Sequence, residues 1–176
     1  MGSAVIAVRG AVQITIWAVI LIAALDATLA QAQLQIRELV PGIYYGPAPE
    51  SAADYAQLQS LGTRTVIELR KLAPRLSSRE REMVACYGMD YRLVPMDVRP
   101  ARDCTPEQAL RLLADARLQP IYFHCTLGRD RTGLVVALYR VRYLGWSPQA
   151  AYAAFRQQRF NRLLRDLDRA FWCSVN

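Results

Sequence analysis

The sequence predicts an α/β domain with a central, mostly parallel sheet flanked by helices. From Arg37 onward, short β-branched or aromatic runs alternate with stretches of helical periodicity, the pattern of strands joined by helical crossovers. The apolar run Ile121–Phe123 passes through His124-Cys125 into a short loop and then a new helical pattern. In parallel sheets, sites form at such C-terminal strand ends. Taken in order, Arg37–Val40 and Ile43–Tyr45 read as two short strands around a Pro41-Gly42 turn. Ser51 is placed to cap a helix over Ala52–Leu61, closed by Gly62. Thr65–Leu69 is a β-branched strand, and Ser77-Ser78-Arg79-Glu80 opens a charged helix that runs to about Tyr87 and stops at Gly88. Tyr91–Val94 is the next strand, and Pro95–Cys104 a loop. Thr105-Pro106-Glu107 starts a helix whose apolar positions Ala109, Leu112, Leu113 and Ala116 recur at helical spacing. A helix from about Thr132 to Leu144 follows the loop after Phe123. Gly145-Trp146-Ser147-Pro148 ends it and begins another, and a last amphipathic helix covers about Asn161–Phe171. Trp146 and Trp172 read as packing residues.

The chain has 176 residues, 53% of them hydrophobic and 21% charged, the balance of one ordered domain rather than a disordered chain. Part of the apolar fraction sits at the N-terminus. Arg9 precedes a nearly uncharged core, Ala11–Leu25, and small residues end in Ala30-Gln31-Ala32, the order of a secretory signal. That core is short for a bilayer span, which needs roughly 20 residues. Residues 1–32 therefore read as a signal peptide, with an uncleaved N-terminal membrane anchor as the alternative, and residues 33–176 as the domain. Either reading places the domain outside the cytoplasm, exported or anchored. The net charge is +7 and the 22 basic side chains are all arginine except Lys71. Such a balance favours acidic partners, but the arginines are scattered and no base-reading motif is present, so nucleic acid is not an expected partner. Membrane contact is expected only through the N-terminal segment. The four cysteines, Cys86, Cys104, Cys125 and Cys173, form no C-x-x-C pair, and the chain has one histidine. No zinc site or other cofactor is expected. Export leaves a disulfide among Cys86, Cys104 and Cys173 open.

The loop after Phe123 concentrates the chemistry. A thiol at a helix N-terminus faces unpaired backbone N–H groups and the positive end of the helix dipole, and nearby guanidinium groups add fixed charge. Each favours the thiolate, so Cys125 is expected to be acidic and nucleophilic. A loop whose successive N–H groups point inward makes a nest for an oxyanion, and Gly128 permits the positive φ that the curl needs. Arg131 can grip two phosphoryl oxygens in a fork that lysine does not reproduce.

The run His124-Cys125-Thr126-Leu127-Gly128-Arg129-Asp130-Arg131-Thr132-Gly133 resembles H-C-x-x-G-x-x-R-[ST]-G, the signature of the cysteine-dependent protein tyrosine and dual-specificity phosphatases. Val40–Arg70 and Gly133–Phe155 are similar to segments of the compact bacterial dual-specificity-like branch, so the resemblance covers residues 36–160. It implies a phosphotyrosine-phosphatase-like fold of dual-specificity size and a phosphocysteine intermediate on Cys125. The intermediate would be stabilised by Arg131 and by the loop Thr126, Leu127, Gly128, Arg129, Asp130, Arg131, with Thr132 hydrogen-bonded to the sulfur. The family draws its general acid from the loop after the preceding strand. Asp97 is the first choice there and Asp103 the second. Asp130 competes, since the myotubularin-like branch carries "DR" in this loop.

The substrate class this implies is a phosphorylated protein or a small phosphate ester. Protein phosphotyrosine or dual-specificity substrates are the main reading, and inositol phosphates or other small molecules the alternative. A basic residue at the position of Arg129 also occurs in the inositol-lipid branch, whose second basic position is here Thr126. A rhodanese-like sulfurtransferase and a non-catalytic phosphate-binding module are the remaining alternatives. His124 reads as a residue that orders the loop rather than a base, because neighbours on a strand face opposite ways. Arg129 reads as either a solvated loop residue or a second anion contact, and Arg70 as the partner of an acidic neighbour, with a place lining the site as the alternative.

Overall fold

A computed structural model of the chain describes residues 33–71, 73–97, 105–158 and 165–175. The segment read as a signal, the loop residues Asp103 and Cys104, and the expected start of the last helix at Asn161 lie outside them. No helix among the described residues is long and apolar enough to cross a membrane.

The described residues hold five strands: β1 (Arg37–Val40), β2 (Ile43–Gly46), β3 (Thr65–Arg70), β4 (Asp90–Met96) and β5 (Ile121–His124). They form one sheet in the order β1-β2-β5-β3-β4. Only β1 is antiparallel; β2, β3 and β4 run parallel with β5 in the middle. The helices are α1 (Ala52–Ser60), α2 (Pro74–Cys86), α3 (Thr105–Ala114), α4 (Arg131–Leu144), α5 (Pro148–Gln157) and α6 (Arg165–Val175). The expected mostly parallel, helix-flanked sheet is therefore present.

Alternation along the strands divides the core into two layers. Ile43, Tyr45, Ile67, Leu69, Ile121 and Phe123 pack with Leu134, Leu138, Phe155 and Phe171 of the C-terminal helices. On the other face Val66 and Tyr122 pack with Tyr55 and Leu58 of α1 and Val84 of α2. His124 and Glu68 share the Val66–Tyr122 face by period, and both are fully buried.

Several boundaries differ from expectation. The charged helix begins a turn early, at Pro74, because proline suits the first helical position and needs no N–H there. Ser77 is consequently a buried interior residue rather than a cap. Strand β4 extends to Asp90 and Met96, carried by pairing with β3. Helix α3 stops at Ala114, and Ala116 belongs to a short 3-10 turn whose start Asp115 caps. The last helix extends past Phe171 to Val175. Ser51 caps α1 as expected, and Asp54 reaches back to the Ser51 N–H to complete a capping box. Trp172 packs against Tyr152 and Phe171. Trp146 does not pack inside: it is exposed, with the Arg140 guanidinium 4.7 Å from its ring centre.

Candidate active site

The site begins where three parallel strands stop together. Gly46 of β2 and Glu68 of β3 lie opposite His124, the last residue of β5. Cys125 follows, and residues 126–130 curl into the first turn of α4. Gly128 has φ +65°, and a Cβ there would collide with the backbone of Gly46 and Pro47. The loop is also tied to the segment after β2, since Ala48 N–H donates to the Thr126 carbonyl at 3.1 Å. Tyr122 Oη donates to the Pro47 carbonyl at 2.6 Å and holds that segment in place. On the helix side, Gly133 N–H donates to the Arg129 carbonyl and Leu134 N–H to that of Asp130.

Cys125 is 3% exposed, at the floor of this curl. Burial alone would push its thiol up. The Thr132 hydroxyl, the N–H groups of Thr132 and Arg129 and the charge of Arg131 outweigh burial, and the thiol lies below its ordinary range. The Thr132 hydroxyl is fully buried with no oxygen or nitrogen partner, which leaves the sulfur as the group it serves. Arg131 Nε is likewise buried without a protein partner. A thiolate under inward N–H groups and a guanidinium can attack a tetrahedral, anionic centre and stabilise the charge that develops there.

Behind the loop, on the α2 face, lies a buried charged cluster. Arg70 donates through Nε and Nη2 to Glu68 at 2.7 and 2.6 Å, and through Nη2 to Glu80 at 2.6 Å. His124 Nε2 stands 2.7 Å from Glu80 Oε1, and its Nδ1 3.2 Å from the Cys125 carbonyl oxygen. Burial pushes Glu80 up, but His124, Glu68 and Arg70 outweigh it and hold this carboxyl below the usual range. For Glu68 burial wins, with Glu80 adding to it against Arg70, and the carboxyl is raised. Ligand atoms of Glu68, Glu80 and His124 lie within 4.8 Å of one another. The three do not fit a metal ion, because the Arg70 guanidinium already supplies the positive charge between the carboxylates.

Asp97 directly follows β4, at the same end of the sheet as Cys125. Its carboxylate is 43% exposed and 3.7 Å from Lys71 Nζ. Asp130 immediately precedes α4, without a side-chain hydrogen bond to the helix N-terminus. Arg70 takes the structural pairing expected of it. Leu127 is exposed, and with Gly128 and Arg129 it lines a cavity of about 530 Å³ that also includes Arg37, Gln35 and Gln157. Cys86 and Cys173 are exposed free thiols and are not joined to each other; Cys104, the third cysteine of the expected set, lies outside the described residues. Glu68 and Glu80 were not singled out by sequence reasoning. The available signal was an acid standing alone inside the strand run TVIEL.

A sequence model of the tyrosine phosphatase family matches residues 34–174. The chain is 28% identical over 126 residues to the dual specificity protein phosphatase TpbA of Pseudomonas aeruginosa PAO1, covering 71% of this chain and 55% of that protein. It thus spans about half the length of that relative. It is 29% identical over 137 residues to the putative tyrosine-protein phosphatase OCA1 of Meyerozyma guilliermondii, covering 70% and 72%. The crystal structure of P. aeruginosa TpbA superposes with a TM-score of 0.65 at 26% identity, over 78% of this chain and 83% of that one. The catalytic core of the PP-IP phosphatase SIW14 from S. cerevisiae shares the fold, with a TM-score of 0.63 at 20% identity over 77% and 83%.

Proposed function

Because this chain belongs to the tyrosine phosphatase family, matched over residues 34–174, we propose that it hydrolyses phosphate monoesters through a phosphocysteine intermediate. The observation that carries the proposal is the buried Cys125, its thiol lowered against burial by the Thr132 hydroxyl, by the N–H groups of Thr132 and Arg129 and by Arg131, whose Nε is buried with no protein partner. The Cys125 thiolate attacks phosphorus, the ester P–O bond breaks, and the leaving oxygen takes a proton from an aspartic acid. Asp97 is the first candidate for that acid by its place at the end of β4, with Asp130 and Asp103 as alternatives. Water then attacks phosphorus and gives a proton back to the same aspartate, the S–P bond breaks, and the thiolate is regenerated with Thr132 stabilising it. The 126–131 amides and Arg131 hold the equatorial oxygens in both steps.

The main substrate reading is phosphotyrosine or mixed phosphoresidues in proteins. TpbA is named a dual specificity protein phosphatase, and a TpbA variant has been crystallised with phosphotyrosine. The cavity beside Gly128 supports a second reading, a small substrate with more than one phosphate, because Arg37 and Arg129 both line it. Residues 1–32 are proposed to export the domain, as a cleaved signal or as an anchor; N-terminal sequencing of the mature protein decides between these.

The test is phosphate release from an aryl phosphate under reducing conditions, comparing the full chain with Cys125→Ser. Turnover that disappears in the variant supports the phosphocysteine route. A folded wild-type protein that binds vanadate without turnover overturns the hydrolase reading in favour of a phosphate-binding module.

A further inference from the structure

The cavity beside Gly128 opens at the end of the sheet where Cys125 stands, and its lining is charged one way. Arg37 from β1 and Arg129 from the loop line it together with Gln158 and Leu127, and none of its lining residues is acidic. Neither arginine pairs with a carboxylate among the described residues. Two cations brought to one concave space repel each other, and an anion between them relieves the repulsion.

Two further features say what carries the anion. Gln158, directly after α5, has a buried side-chain oxygen with no donor. A buried acceptor left open is costly, and an N–H of a bound chain would satisfy it. Leu127 is 56% exposed on the same cavity, an apolar surface that a neighbouring side chain can cover. A peptide brings main-chain N–H donors at regular intervals and apolar side chains as well. A small polyol phosphate brings hydroxyl donors but nothing apolar for Leu127.

Sheet register sets the spacing. Arg37 stands opposite Tyr45 of β2, and Tyr45 opposite Phe123 of β5. Arg37 is therefore two strand spacings, about 10 Å, to the side of the strand that ends at Cys125. An extended peptide advances about 3.3 Å per residue. With a phosphotyrosine over Cys125, a residue about three positions away comes level with Arg37.

We infer that this cavity is a subsite for an acidic side chain flanking the phosphotyrosine of a protein substrate, and that Arg37 is its specificity-determining residue. The inference rests on the protein-phosphotyrosine reading given above. The flanking carboxylate lies between Arg37 and Arg129, and a main-chain N–H of the substrate donates to Gln158. Arg37 selects the substrate and takes no part in the transfer of the phosphoryl group.

The test is a set of phosphotyrosine peptides of equal net charge, differing only in where one aspartate stands. It is placed within three residues of the phosphotyrosine, on either side, or far along the peptide. Binding is read by fluorescence anisotropy with the full-length Cys125→Ser protein, and kcat/KM with the wild type. One near position is expected to bind about fivefold tighter than the distant one, the size of a good exposed ion pair. The gain is expected to shrink at high salt. Adding Arg37→Gln should abolish this preference, and Arg37→Glu should transfer it to lysine at the same position. Each readout is a ratio within one protein, so a general change in affinity or stability cancels. Equal binding of all the peptides overturns the inference, and so does a preference that survives Arg37→Gln. Fructose 1,6-bisphosphate bound more tightly than every peptide, through Arg37, assigns the cavity to small substrates and also overturns it. Wild-type protein without turnover, whose Cys125→Ser form keeps the peptide preference, supports this inference while the hydrolase reading fails.

Discussion

Gly128 and Gly46 meet backbone to backbone: the Gly46 carbonyl occupies the space that a side chain at position 128 would need. With φ at +65°, Gly128 is also in the left-handed region that penalises any Cβ. The loop around Cys125 is therefore pressed against the end of β2 and has no room to relax. Gly128→Ala is expected to destabilise the domain by about 1–3 kcal/mol. It is expected to lower kcat/KM by about 100-fold, the usual result of moving reacting groups by about 1 Å. Urea unfolding and aryl phosphate kinetics check the two parts separately.

Arg131→Lys keeps the charge and removes the planar fork. The expected outcome is a fall in kcat of about 10²–10³-fold, the size seen when one preorganised oxyanion donor is lost, together with weaker vanadate binding. Thermal unfolding should change little, because Arg131 Nε has no protein partner to lose. Equal kcat in the two proteins would remove Arg131 from the proposed transition-state contacts.

The lowered Cys125 thiol fixes the sign of two pH effects. First, kcat/KM should rise with pH along an acidic limb that lies below the ordinary thiol value of about 8.5. If Asp97 is the acid, Asp97→Asn should abolish the falling basic limb and slow poor leaving groups by about 10²–10⁴-fold. Second, between the folded and the unfolded thiol pKa the unfolded chain holds a proton that the folded chain lacks. Stability should rise with pH across that window, be complete above about 8.5, and be lost as pH falls through the folded value. Cys125→Ser should flatten this part of the curve in pH-dependent urea unfolding.

Arg70 is the cation shared by two buried carboxylates, Glu68 at 0% and Glu80 at 6% exposure. Arg70→Ala leaves them facing each other and should cost about 3–5 kcal/mol at neutral pH, as breaking a buried ion pair does. Part of the loss should be recovered at acid pH, where Glu68, the carboxyl whose pKa is raised, takes up a proton. Denaturant midpoints at pH 7 and pH 5 report both effects.

Much of this architecture was legible in the residues. Ser51 and Gly62 mark the ends of α1, Gly145 and Pro148 separate α4 from α5, and the β-branched run from Thr65 locates β3, all through local backbone chemistry. The misplacements share a cause. Pro74 and Ser77 both fit helix starts, and local preference alone did not rank them. The extra residues of β4 at Asp90 and Met96 follow from pairing with β3, which neighbours in sequence do not report.

The candidate site divides the same way. Which residues share the loop follows from the residues alone, because the ten consecutive positions His124–Gly133 carry a thiol, a glycine, an arginine and a helix start in an order that needs no distant partner. What stands behind that loop depends on packing between distant segments. Parallel register sets Glu68 beside His124, alternation turns both to the α2 face, and the packing of α2 brings Glu80 to 2.7 Å from the imidazole. Those contacts join residues far apart in the chain. They exist because burying their charges is tolerable only when the fold supplies each with an opposite charge.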